Sequence, residues 1–181
     1  MFKNSLLYIA FFISFSLFSQ TYKTSTGQVK FISDAPLELI QAKSDKLLGL
    51  LKIADRSFAF TIPMSTFEGF NSAIQRTHFN ENYIESAKYP NATFEGKIIE
   101  DIDFNTPGKY DIRAKGKFTI HGVEQVRIIK CQMQVQDSKF NITSKFTVLL
   151  ADHKIKIPSV VKQKITEEVV VELSTTLTPK K

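Results

Sequence analysis

From Tyr110 to Ile120 the chain changes character at every residue. Tyr110, Ile112, Ala114, Gly116, Phe118 and Ile120 are apolar or small, while Asp111, Arg113, Lys115, Lys117 and Thr119 between them are polar. A period of two is the signature of a half-buried β-strand, because successive side chains point to opposite faces of the sheet. The pattern recurs in Phe140, Ile142, Ser144, Phe146, Val148 and Leu150, and again in Val169, Val171, Leu173, Thr175 and Leu177. Further strands are expected over 27–33, 37–43, 46–54, 57–64, 92–101 and 123–136.

Short polar turns separate several of these strands: Asp34-Ala35-Pro36, Ala54-Asp55-Arg56, Asn105-Thr106-Pro107-Gly108, His121-Gly122 and Asp137-Ser138. Such turns make antiparallel hairpins. Eight or nine strands joined this way form a closed barrel or a sandwich, so the fold class is all-β. One segment breaks the pattern. Residues 71–86 (NSAIQRTHFNENYIES) carry a Ser72–Gln75 capping box and the i,i+4 pairs Ile74/His78 and Phe79/Tyr83, which predict a helical insertion. Tyr89-Pro90 then returns the chain to extended structure. A short second turn is expected around Ser159–Lys164.

The amino terminus reads differently. Lys3 is followed by the uncharged run Leu6–Phe18, then by Ser19 and Gln20. This is the order of a secretory signal peptide. As a helix the run spans about 20 Å, short of the roughly 30 Å of bilayer hydrocarbon. Residues 1–19 are therefore expected to be a cleaved signal peptide and 20–181 a single exported domain, periplasmic or secreted. The lone Cys131 excludes an internal disulfide and a cysteine-based metal cluster. The net charge of +6 is spread along the chain without the basic cluster of a nucleic-acid binder. Lys154, Lys156, Lys162 and Lys164 are the densest group and suggest at most weak contact with a membrane surface. An outer-membrane barrel fits poorly, because Arg113, Lys115 and Lys117 share one strand face and each costs about 2–4 kcal/mol near the bilayer midplane.

No catalytic motif stands out. The chain has no GxSxG elbow, no glycine-rich phosphate loop and no cysteine beside a histidine. His78, His121 and His153 lack metal-ligand spacing, so neither a metal nor a cofactor is expected. His121 reads as a turn residue and His153 as a loop residue. Asp101 and Asp103 sit in a turn-like stretch and read as solvated.

The helical segment and its flanks carry a recognisable order: Arg76-Thr77-His78-Phe79, Tyr83, then Lys88-Tyr89-Pro90-Asn91-Ala92-Thr93-Phe94. Gly116–Val123 (GKFTIHGV), Phe146–Pro158 (FTVLLADHKIKIP) and Lys164–Val171 (KITEEVVV) follow. Together these resemble the YceI-like family of exported polyisoprenoid-binding proteins, from about Gly27 to Leu173. The resemblance implies an eight-stranded antiparallel, lipocalin-like barrel with a short helical insertion. It also implies a long apolar pocket for an isoprenoid or other amphiphilic lipid such as a quinone.

An eight-stranded barrel is just wide enough for its own side chains or for one slim ligand. Residues expected to face inward are Phe31, Leu48, Leu50, Phe60, Ile62, Phe94, Ile112, Phe118, Phe140, Ile142 and Phe146. Ala114, Gly116 and Ser144 would leave room beside the rings. The residues alone leave open whether these rings fill the core or line a pocket. Arg76 and His78 either hold a polar headgroup at the pocket mouth or fix the helical segment through an ion pair with Glu81 or Asp152. The expected function is lipid binding without catalysis. The rivals are an enzyme acting on such lipids, with His78, Asp152 and Tyr83 as its titratable groups, and a filled barrel with a protein partner. A homodimer is left open.

Overall fold

The computed structural model describes residues 20–180. The signal peptide expected at 1–19 lies outside the described residues. Eight strands close into an antiparallel barrel in chain order: β1 (Thr21–Ala35), β2 (Glu38–Lys52), β3 (Ser57–Pro63), β4 (Asn91–Ile98), β5 (Gly108–Ile120), β6 (Val123–Gln136), β7 (Lys139–Leu149) and β8 (Glu168–Pro179). Chain-order pairing follows from the short turns. Two hairpins turn through residues with positive φ, His121 (53°) with Gly122 (71°) and Asp137 (50°) with Ser138 (56°). This left-handed backbone suits the two-residue turns that match the twist of their strands.

The barrel has two unlike ends. The base carries the β2–β3, β4–β5 and β6–β7 connections. The top carries the β1–β2 turn, the long insertion between β3 and β4, the β5–β6 turn and the segment between β7 and β8. The insertion holds helix α1 (Ala73–His78) and a π-helical turn, Phe79–Tyr83. Ser72 caps α1 as its sequence predicts, its hydroxyl accepting from Gln75 N at 3.2 Å. The Gln75 side chain reaches back one residue further than in a standard capping box, to Asn71 N at 3.1 Å. A 3-10 turn, Leu150–His153, follows β7, and a second one spans Ser159–Val161.

The separate strands expected over 37–43 and 46–54 are one continuous strand, β2. Its pairing with β1 slips between Thr24 and Gly27 and slips back between Gly27 and Val29. The Ser44-Asp45 step between the two expected strands thus falls in a β-bulge, one of two that compensate each other. The bulge also sets which leucines face inward. Leu48 and Leu50, expected inside, face outward, with Leu48 44% exposed, while Leu47 and Leu51 are buried. Gly49 shares the inward phase, because a Cβ there would stand 2.2 Å from the Phe60 ring. Four leucines in five positions carry both phases at once, and the Phe60 ring needs the empty glycine site.

The wall is not uniformly paired. β6 and β7 form a ladder only from Cys131↔Ser144 down to Gln136↔Lys139. Above it the strands diverge, and side chains bridge the seam. Ser144 Oγ donates to Lys130 O at 2.7 Å, Arg127 donates to Thr147 O at 2.8 Å, and Gln125 donates to Asp152 O at 2.9 Å. Outside, Arg113 pairs with Glu100, Lys117 with Glu124 and Lys145 with Glu172. The outer face of this barrel is thus charged and the inner face apolar, opposite to a barrel whose outside meets lipid. No described helix is long and apolar enough to cross a membrane.

Candidate functional site

Inside the barrel the apolar residues divide into two groups. At the base, Tyr22, Leu51, Phe58, Phe104, Met133, Phe140 and Leu177 pack into one cluster. The Tyr22 and Phe140 ring centroids lie 4.2 Å apart, and Phe104 from the β4–β5 loop stacks edge-on to Phe140 at 5.6 Å. This is a floor. Above it a cavity of about 590 Å³ runs up to the top of the barrel, within the usual range for a small-molecule site. Its lining on β8 extends from Val169 to Leu177. The eight rises from Val169 to Leu177 along a tilted strand give a depth of about 20 Å.

Nine phenylalanines line the cavity: Phe31, Phe58, Phe60, Phe67, Phe70, Phe79, Phe94, Phe118 and Phe146. Small residues stand beside them on the inner face. Ala92 and Ala114 line the wall, and Gly96 faces Gly116 across β4 and β5 so closely that a Cβ on either would meet backbone at 2.1 Å. Below the mouth, Phe31 stacks on Phe79 (5.3 Å, 13°), with Phe67 at 5.6 Å and Phe70 at 5.8 Å. Three of these four rings belong to the insertion. It therefore roofs the cavity with aromatic surface rather than plugging it.

Polar groups are confined mostly to the mouth, where Ser33, Glu38, Ser72, Gln75, His78 and Lys164 line the opening. Glu38 is held by the Gln75 and Asn71 side-chain amides, which fastens α1 to the top of β2. Leu37 N donates to Gln163 O at 2.9 Å and Thr166 N to Ser33 Oγ at 3.0 Å, which fastens the β7–β8 segment to β1 and β2. Two further titratable groups line the cavity, Tyr83 on the insertion and Cys131 on β6. Burial raises the pKa of the Tyr83 hydroxyl and of the Cys131 thiol, so both are held in the uncharged form.

Of the residues expected at a ligand site, Phe31, Phe60, Ile62, His78, Phe94, Ile112, Phe118 and Phe146 line this cavity, as does Ile142. Phe140 does not: it is wholly buried in the floor. Leu48 is outside the barrel, and Arg76 is turned from the mouth. Its guanidinium donates to Ser65 O at 3.3 Å and lies 3.9 Å from Glu68. The pairing of Arg76 with Glu81 or Asp152 is thus replaced by one with Glu68, contributed by the insertion itself. Phe67, Phe70 and Phe79 were not among the expected lining residues, because the turn and helix that carry them show no strand alternation.

The other two histidines are structural. His121 sits at the β5–β6 turn, with Nδ1 3.0 Å from His153 O and Nε2 2.9 Å from Glu85, whose carboxyl this bond holds below its usual pKa. His153, expected on a loop, is fully buried in its 3-10 turn beneath Phe118. Its Nδ1 donates to Val123 O at 3.0 Å, while Nε2 has no partner among the described residues. Burial depresses its pKa. Among the described residues no group of three or more His, Cys, Asp or Glu is arranged to hold a metal ion.

A model of the YceI-like domain matches residues 11–177 of the chain. Among solved structures, a polyisoprenoid binding domain from Saccharophagus degradans aligns with TM-score 0.74 at 13% identity, over 90% of this chain and 99% of that one. BcnA of Burkholderia cenocepacia aligns with TM-score 0.69 at 13% identity, over 83% and 95%. The YCEI protein of Campylobacter jejuni gives 0.56 at 14% identity, over 100% and 92%. At these identities the likeness shows the fold. No curated protein sequence matches the chain.

Proposed function

This chain belongs to the YceI-like family, and on that premise we propose that it is an exported binding protein that holds the tail of an amphiphilic lipid, such as a polyisoprenoid or quinone, inside its barrel. The observation that carries this reading is the cavity: about 590 Å³, closed at the base, open at the top and lined by nine phenylalanines. Burying roughly 300 Å² of tail would gain about 7 kcal/mol before the cost of ordering it. The polar groups at the mouth then meet the headgroup, with His78 and Lys164 beside it. Export rests on the charged, apolar and small-residue order of residues 1–19, which makes the protein periplasmic or secreted. The solved polyisoprenoid binding domain of the same fold supports the ligand class.

Binding is favoured over catalysis by the chemistry of the lining. Its titratable groups are Glu38, His78, Tyr83, Cys131 and Lys164. Glu38 is tied up by two amides, and burial keeps Tyr83 and Cys131 uncharged. Asp152 lies outside the lining. A filled barrel with a protein partner is disfavoured by the open cavity.

Native mass spectrometry of the purified protein, followed by organic extraction, tests the reading. A stoichiometric isoprenoid or acyl lipid is expected, and Phe94→Asp or Phe118→Asp should lose it. A protein that arrives empty and takes up neither quinones nor polyprenyl phosphates would overturn the assignment.

A further inference from the structure

Three aliphatic side chains stand out from the end of the barrel at which the cavity opens. Leu37 in the β1–β2 turn is 65% exposed, Ile74 in α1 is 63% exposed, and Val160 in the Ser159–Val161 turn is 88% exposed. They belong to the rim itself. Ile74 lines the cavity mouth, as does Val161, the neighbour of Val160. Leu37 is joined to the same segment through Gln163. A lone exposed aliphatic is ordinary, but three around one apolar opening form a patch whose position needs a reason.

The rim is also charged in a particular way. Lys154, Lys156, Lys162 and Lys164 lie on the segment that carries Val160. Of these, Lys162 lies 3.6 Å from Glu167, and the other three stand in no ion pair among the described residues. Several acidic groups at this end are engaged within the protein: Glu38 by Gln75 and Asn71, Glu68 by Arg76, and Glu85 by His121 and Lys88. Glu167 pairs with Lys162, while Asp152 and Glu168, at the two ends of the lysine segment, and Asp34 and Glu81, on other elements, remain; four lysines against three acids leave the segment with a net positive charge. Protruding aliphatics flanked by lysines match a bilayer interface, where apolar tips enter the acyl boundary and lysines meet anionic headgroups.

We propose that the mouth end of the barrel docks on an anionic phospholipid bilayer, with Leu37, Ile74 and Val160 inserted and the Lys154–Lys164 segment on the headgroups. The cavity then opens directly onto the lipid phase, and a tail passes between bilayer and barrel without crossing water. The purpose of docking rests on the lipid-binding reading above; the docking itself does not require cargo.

Flotation of the processed chain with vesicles of phosphatidylcholine, with and without phosphatidylglycerol, tests this. The protein should float with the phosphatidylglycerol vesicles and lose binding as salt rises. Leu37→Asp with Val160→Asp should weaken binding at least tenfold. Lys162→Glu with Lys164→Glu should weaken it by roughly fivefold or more per lysine, since each lysine is replaced by an opposite charge. Val126→Asp with Ile128→Asp, two exposed positions on the side wall of β6, should leave binding unchanged. All six positions are on the surface, and a thermal melt of each variant checks the fold. Absence of binding, or equal losses from the rim and the side-wall variants, would overturn the proposal. Native mass spectra of the same samples separate the two readings: cargo without vesicle binding sinks docking alone, and vesicle binding by a protein that never holds lipid sinks the cargo assignment alone.

Discussion

At the base of the barrel Phe140 and Leu177 have no exposed surface, and Leu51 and Met133 have almost none. Higher on the same or neighbouring strands, Phe31, Phe60, Phe94 and Phe146 keep part of their surface on open space. Both halves are built from the same alternation and the same residue types. The difference lies in what stands opposite the rings. At the base, large side chains and the Phe104 loop meet across the axis. At the waist, Ala92, Ala114 and Ser144 line the cavity from inward positions, and Gly49 lets the Phe60 ring lie back against the wall. At the top, β6 and β7 separate, and the insertion lays its rings over the opening. A hollow in a barrel is thus made by small residues and a split seam, not by fewer aromatic ones.

The sharpest way to break this comparison is to delete one ring from each half. Phe140→Ala should destabilise the protein by about 3–5 kcal/mol in a urea titration, because it opens a void in a packed floor. Phe94→Ala should cost less than about 2 kcal/mol, since one side of that ring already meets open space, yet it should weaken lipid retention. Equal stability losses would mean that the upper half is as tightly packed as the lower. Acid should also separate the halves. The pKa of His153, in the turn that follows β7 at the top of the barrel, is depressed by burial. The unfolded chain therefore takes up a proton below about pH 6.5 that the folded chain refuses. Stability should fall as pH drops through that value, by up to about 1.4 kcal/mol per unit, and level off beneath the folded pKa. His153→Phe should flatten this dependence, and amide exchange at pH 5.5 should quicken in Val148–Lys154 before it does in the floor. The smallest effect is expected at the seam. Arg127→Ala removes one bridging hydrogen bond and should cost about 1 kcal/mol, with faster amide exchange in Lys145–Leu149 and none in the ladder below Ser144.

Much of this was legible beforehand. Most of the strands, the hairpin turns and the Ser72 cap follow from local signals, since alternation and turn chemistry are short-range, whereas the bulge that joins 37–43 and 46–54 into one strand does not. The phase of β2 was not legible. Leu47, Leu48, Leu50 and Leu51 satisfy either face, and only a bulge paired against β1 and the Phe60 ring beside Gly49 decide between them. Phe140 could not be told from Phe146 either: they share a phase on one strand, and only the Phe104 loop beneath makes one a floor and the other a wall. Arg76 illustrates the same limit. Its spacing to His78 suggests a shared task, but they lie two apart on a helix and so point to different sides.

The closed floor has a consequence for traffic. A tube open at both ends could span two compartments as a conduit, with cargo entering at one rim and leaving at the other. This one is a bottle. Whatever enters tail first must leave head first by the same neck, so donor and acceptor must each meet the same rim in turn. On the lipid-binding and docking proposals, delivery requires the whole molecule to let go, travel and turn its mouth toward the next surface, at a pace set by diffusion and release rather than by flow through a channel.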